Sequence, residues 1–158
     1  MIVRVLKIAA FLTFTLCLSL PAAACSTPAG ADLLRHETLL RINQERGRAG
    51  LTALRPSPLL DRVAQRHACD NAYHNRLSHT GSDGSHFGER IMRAGYSYRR
   101  ANENVAIGYH DAASVVAAWM HSSGHRQNVL DRGTHEVGLG LARGRDGRFH
   151  WVMVSGRR

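Results

Sequence analysis

The segment that opens at Ser57-Pro58 restricts the fold of this chain more than any other. Ser is a favoured helix N-cap, and Pro fits the first helical position, where its missing N–H is not needed. Behind this pair Leu60, Val63, Ala64, His67, Ala68 and Asn71 recur at helical spacing. One face of a long helix is therefore apolar and must be covered by something else in the chain. His67 lies on that stripe and reads as a buried, hydrogen-bonded histidine.

The cover has to come from later residues. Strand-like runs occur at Tyr96 to Arg99, Asn104 to Gly108, Val137 to Ala142 and Phe149 to Val154, and Arg143 to Arg148 reads as a hairpin turn. A first helix is expected from near Asp32 to Gly47–Gly50, and a short one around Phe87 to Ala94, stopped by Gly95. Asp111 caps another, with Val115, Val116, Trp119 and Met120 on its apolar face. Helices first, then strands mixed with a helix and a closing hairpin, predict an α+β layered domain and not an alternating parallel sheet.

The N-terminus carries an address. Arg4 and Lys7 precede an uncharged apolar run from Ile8 to Leu20, then Pro21 and Ala22-Ala23-Ala24. This reads as a cleavable signal peptide over residues 1–24. The alternative is a membrane-spanning helix, for which the run falls short of the roughly 20 residues required. No later segment is apolar enough to span. The expected organisation is signal peptide 1–24, linker 25–31 and domain 32–158, in a secreted or periplasmic protein.

Cys25 has two possible fates. It can pair with Cys69, the only other cysteine left after cleavage, as cysteines in an oxidising compartment usually do. Alternatively, Ala22-Ala23-Ala24-Cys25 is a degenerate lipobox and Cys25 carries a lipid. A lipobox prefers a large aliphatic residue where Ala22 stands, so the disulfide is the preferred reading. The two fates exclude each other.

The formal charge of +9 falls by two when Arg4 and Lys7 are removed, and every remaining cation is arginine. Attraction to an anionic envelope surface is one reading; a compositional bias with a solvated face is the other. Nucleic acid is not an expected partner, because there is no compact basic helix or interleaved aromatic stripe.

Chemistry-bearing residues gather in four stretches: Ser78-His79-Thr80-Gly81, Gly88-Glu89-Arg90-Ile91, Asn102-Glu103-Asn104-Val105-Ala106, and Ser123-Gly124-His125-Arg126-Gln127-Asn128, the last read as a loop after the Trp119 helix. Each sets a His or Glu at an element boundary, where a rigid scaffold can present it to a cleft. In that order and spacing, together with Asn43-x-x-Arg46 and Trp119-Met120, they resemble the CAP superfamily of cysteine-rich secretory proteins, venom antigens and plant pathogenesis-related proteins. The similarity runs from about Leu33 to Val154 and is closer to the short bacterial, SCP-like extracellular members.

The resemblance implies an α-β-α sandwich with a central, mostly antiparallel sheet and an open groove. In the family, two histidines and two acidic residues line that groove, and the histidines can bind a divalent metal. His79 and His125 match the histidines, Glu103 matches the glutamate of the Glu-Asn motif, and Glu89 matches the remaining acidic position. Met153 departs from the pattern, since many relatives carry a glutamine there that points into the groove.

Two imidazoles are good Zn2+ ligands, with carboxylates as orienting acceptors, but a two-histidine site holds metal weakly. The competing reading makes the quartet a hydrogen-bonded network that fixes shape. The expected function is binding of a lipid, peptide or glycan ligand in the groove, with Zn2+ tuning it. The alternatives are a zinc-dependent hydrolase of peptide or cell-wall material, with Glu103 or Glu89 as base, and an envelope interaction protein using its arginines. Neither Gly-x-Ser-x-Gly nor His-Glu-x-x-His occurs in the chain.

Overall fold

A computed structural model describes residues 25–158. The expected signal peptide lies outside the described residues. The elements run α1 (Ala31–Arg48), β1 (Arg55–Pro56), α2 (Pro58–Tyr73), α3 (Phe87–Arg93), β2 (Arg100–Ile107), α4 (Ala112–His121), α5 (Ser123–Val129), β3 (Glu136–Arg143) and β4 (Phe149–Arg157). The strands form one sheet in the order β1-β3-β4-β2. Its two long pairings are antiparallel, and only the two-residue β1 runs parallel to β3. This is the α+β, α-β-α sandwich expected from the sequence.

Strand alternation splits the core into two layers. Val105, Val152 and Val154 face α2 and α3, where they meet Leu60, Val63, Ala64, Ala68 and Ile91. Ala106, Trp151 and Met153 face the other way, toward Ile42 of α1 and Val115, Val116 and Trp119 of α4. Met153 is thus wholly buried in the core. The alternating glycines of β3 explain how α2 approaches so closely. A Cβ on Gly138 or Gly140 would lie within 2.4 Å of backbone atoms of Leu60 or Ala64, so these positions tolerate no side chain.

Cys25 and Cys69 are joined, with Cα atoms 5.4 Å apart. The bridge ties the segment before α1 to α2 and leaves Cys25 no free sulfur for a lipid. At the opposite end of α1, Asn43 exchanges two hydrogen bonds with the Leu54 backbone. Arg46, only 1% exposed, donates to the carbonyls of Thr52, Val129 and Asp131. The Asn43-x-x-Arg46 motif therefore stitches α1 to the loops beneath it.

Three local expectations need correction. Tyr96–Arg99 is not a strand: Gly95 turns the chain at φ 83°, and Tyr96 plugs the core with its hydroxyl on Glu136. The strand starts at Arg100 and continues unbroken through Asn104 to Ile107. The stretch from Ser123 to Asn128 is helical, not a loop; extended Ser122 separates it from α4. Ser57 occupies the N-cap of α2, yet its side chain makes no capping hydrogen bond.

Candidate functional site

Glu103 is the centre of the site. It sits on β2, the edge strand of the sheet, with its side chain 1% exposed. Oε1 accepts from His79 Nδ1 at 2.9 Å, and Oε2 accepts from Arg90 Nη2 at 2.7 Å. His67 Nε2 lies 3.8 Å from Oε1. A buried carboxylate needs such partners, since burial without them favours the neutral form.

The α2 helix presents His79. Its His67 Nε2 donates to the Ser78 carbonyl at 2.7 Å, and Asn71 Nδ2 donates to the same oxygen at 2.9 Å. Ser78 Oγ closes the turn by donating to the Thr80 carbonyl and accepting from the Thr80 N–H. His67 is buried as expected, but only half satisfied: its Nδ1 has no partner among the described residues. Burial holds its pKa below the ordinary histidine value, outweighing the attraction of Glu103.

From the other side of the sheet, α5 presents His125. Glu103 and Asn104 are adjacent on β2 and so point to opposite faces. Asn104 Nδ2 donates to the His125 carbonyl at 3.0 Å. Asn128 Nδ2 donates to Asn104 Oδ1 at 2.8 Å and to the Glu103 carbonyl at 3.1 Å. β2 is an edge strand, and through Glu103 and Asn104 it anchors the segments that carry His79 and His125. The two histidines are near enough that His79 helps lower the pKa of His125, although burial is the larger cause.

Glu89 stands apart. It is exposed on α3, and its Oε2 accepts from the His86 backbone N–H at 2.8 Å, capping the helix. It lines a separate hollow with His86, Phe87, Met92 and Tyr98. Its neighbour Arg90 enters the cluster instead. A cavity of about 310 Å³ adjoins it, lined in part by Arg66, His67, Ser85 and Arg90 but not by His79, Glu103 or His125. The sequence reading missed Arg90, and also missed that His67 belongs to the cluster. The one available signal was the spacing: His67 falls on the buried face of α2, which packs against the sheet.

The donor set admits a metal only in a restricted way. A carboxylate accepts, so His79 Nδ1 carries a proton, and in the neutral imidazole the lone pair is then on Nε2. Burial favours the neutral form of His125, the form a metal ligand takes. Among the described residues no group of three or more His, Cys, Asp or Glu converges on one point. Two imidazole nitrogens suit a weakly held ion.

Residues 39–155 match the family model described as CAP, the cysteine-rich secretory protein family. The chain belongs to this family. Among its CAP relatives is the uncharacterized protein YkwD of Bacillus subtilis, 32% identical over 116 residues, which are 73% of this chain and 45% of that protein. The uncharacterized membrane protein YlbC of the same organism is 29% identical over 64% of this chain and 29% of its own length. The chain thus spans less than half of the curated relatives it matches. An outer surface protein of Borrelia burgdorferi shares the fold, with a TM-score of 0.76 at 21% identity over 85% of this chain and 99% of that one. So does a Bacillus anthracis extracellular protein containing an SCP domain, with a TM-score of 0.73 at 24% identity over 80% of this chain and 41% of that one. Among the described residues of this CAP domain, no helix is long and apolar enough to cross a membrane.

Proposed function

We propose that this is an exported CAP domain that captures a lipid, peptide or glycan ligand at the open edge of β2, with a divalent cation held by His79 and His125. The observation that carries the reading is the Arg90–Glu103–His79 chain of hydrogen bonds. A buried carboxylate that fixes one imidazole nitrogen leaves the other aimed outward, the arrangement that orients metal-ligating histidines. His79 is 54% exposed on its side chain, so a ligand can reach it. A bound Zn2+ would supply a Lewis-acidic centre with positions open to a ligand oxygen. Export is supported by the leader-like N-terminus, by the disulfide and by the extracellular CAP relatives.

Binding is favoured over hydrolysis by the state of the carboxylates. Both oxygens of Glu103 are engaged, and Glu89 is committed to the α3 cap. A general base must lie within reach of the proton it takes, and Glu89 lines a hollow that neither His79 nor His125 lines. The test is nitrogen NMR of the histidine rings during zinc addition. The reading expects Nε2 of His79 and one ring nitrogen of His125 to shift together while His67 stays unmoved. Shifts confined to other histidines would remove the proposed site.

A further inference from the structure

One end of the sheet gathers cations. The starts of β1 and β2, the end of β4 and the loop entering β3 meet there through the strand register. They bring together Arg55, Arg99, Arg100, Arg132, Arg157 and Arg158, all exposed. Two carboxylates share this end, and both are engaged: Asp131 with Arg100 and Asn102, Glu136 with the Tyr96 hydroxyl. Arg100 and Arg157 are direct cross-strand partners; Asp131 answers the charge of Arg100, while among the described residues Arg55, Arg99, Arg132, Arg157 and Arg158 form no ion pair. An external anion would supply their counter-charge, and the guanidinium fork matches phosphate oxygens in particular.

A hollow lies next to the patch along the chain. Tyr98, the residue before Arg99, lines it with the apolar Phe87 and Met92 and with His86, Glu89 and Arg93. Met92 is 53% exposed. A soluble polyanion would satisfy the arginines and gain nothing from this hollow. A bilayer surface satisfies both, because phosphates lie beside buried acyl chains.

We propose that this end of the sheet docks the protein onto an anionic phospholipid surface. The arginines take lipid phosphates, and the Phe87–Met92–Tyr98 hollow rests against the boundary between headgroups and acyl chains. The docking is separate from the His79–His125 site and stands whether or not that site binds metal.

The test is flotation of residues 25–158, which contain both core layers and the disulfide, with vesicles of phosphatidylglycerol and phosphatidylcholine at low salt. The triple variant R99Q/R132Q/R157Q is expected to bind about 100-fold more weakly. R62Q/R66Q/R143Q, which loses the same charge elsewhere, should stay within about threefold of wild type if position and not net charge decides. Met92→Ser keeps every charge and should weaken binding several-fold. Equal losses in the two triple variants would overturn the proposal, as would wild-type protein that ignores the vesicles. Binding to soluble polyphosphate as tight as to vesicles, with Met92→Ser unaffected, would replace the bilayer by an anionic polymer and overturn it too.

Discussion

His79 and Glu103 are joined by a 2.9 Å hydrogen bond in which an exposed imidazole donates to a carboxylate that is itself almost wholly buried. Arg90 holds the second oxygen of that carboxylate. Removing Arg90 alone would strand a buried charge. Arg90→Met is therefore expected to cost about 3 kcal/mol or more, while R90M/E103M recovers most of that loss. Urea unfolding of the two variants measures the difference; a double variant no more stable than the single one would show that the pair is not coupled.

Stability should fall between pH 7.5 and pH 5. Burial lowers the pKa of His67, His125 and His150. Histidines in the unfolded chain titrate near ~6.5, so below that value the unfolded state binds more protons than the folded one. The stabilisation is complete above the unfolded pKa and is lost as pH drops toward the lowered folded values. Urea midpoints across this range provide the check. A midpoint that rises on acidification would contradict the sign.

The Cys25–Cys69 bridge closes a loop with a sequence separation of 44. C25S/C69S should lower stability by up to about 4 kcal/mol, the loop-entropy limit. Guanidinium unfolding under non-reducing conditions reads the change, and a loss near zero would place the bridge outside the cooperative unit.

Arg46 is the other staple. Its guanidinium satisfies the carbonyls of Thr52, Val129 and Asp131 in the interior, where burial lowers its pKa despite the nearby Asp131. Arg46→Ala should cost roughly 3 kcal/mol, since buried acceptors lose their donor. A thermal melt unchanged by the substitution would mean that water replaces the guanidinium without loss.

The layers were legible because periodicity survives folding. Leu60 to Asn71 marked the covered face of α2, and Val115 to Met120 marked α4. The strand boundaries were less so. Tyr96 has a strand-forming side chain, yet Gly95 and the pull of Glu136 make its segment a crossing loop. The two-residue β1 carries no pattern of its own and exists only through its pairing with β3. At the site, His79, Glu103 and His125 could be named from motif resemblance. Arg90 could not, because its partner is 13 residues away and is set by tertiary packing. Glu89 shows the reverse: the helix cap its spacing permits takes up its carboxylate.

Whether His79 and His125 act as one metal site at the open edge of β2 is tested most directly by calorimetric zinc titration of residues 25–158, compared with His79→Ala and His125→Ala. One weakly bound zinc is predicted in the wild type, lost in either variant, with affinity reduced about 10- to 100-fold by Glu103→Gln. No binding, or binding that survives both alanine substitutions, would contradict the shared site and leave the cluster as a network that only shapes the edge of β2.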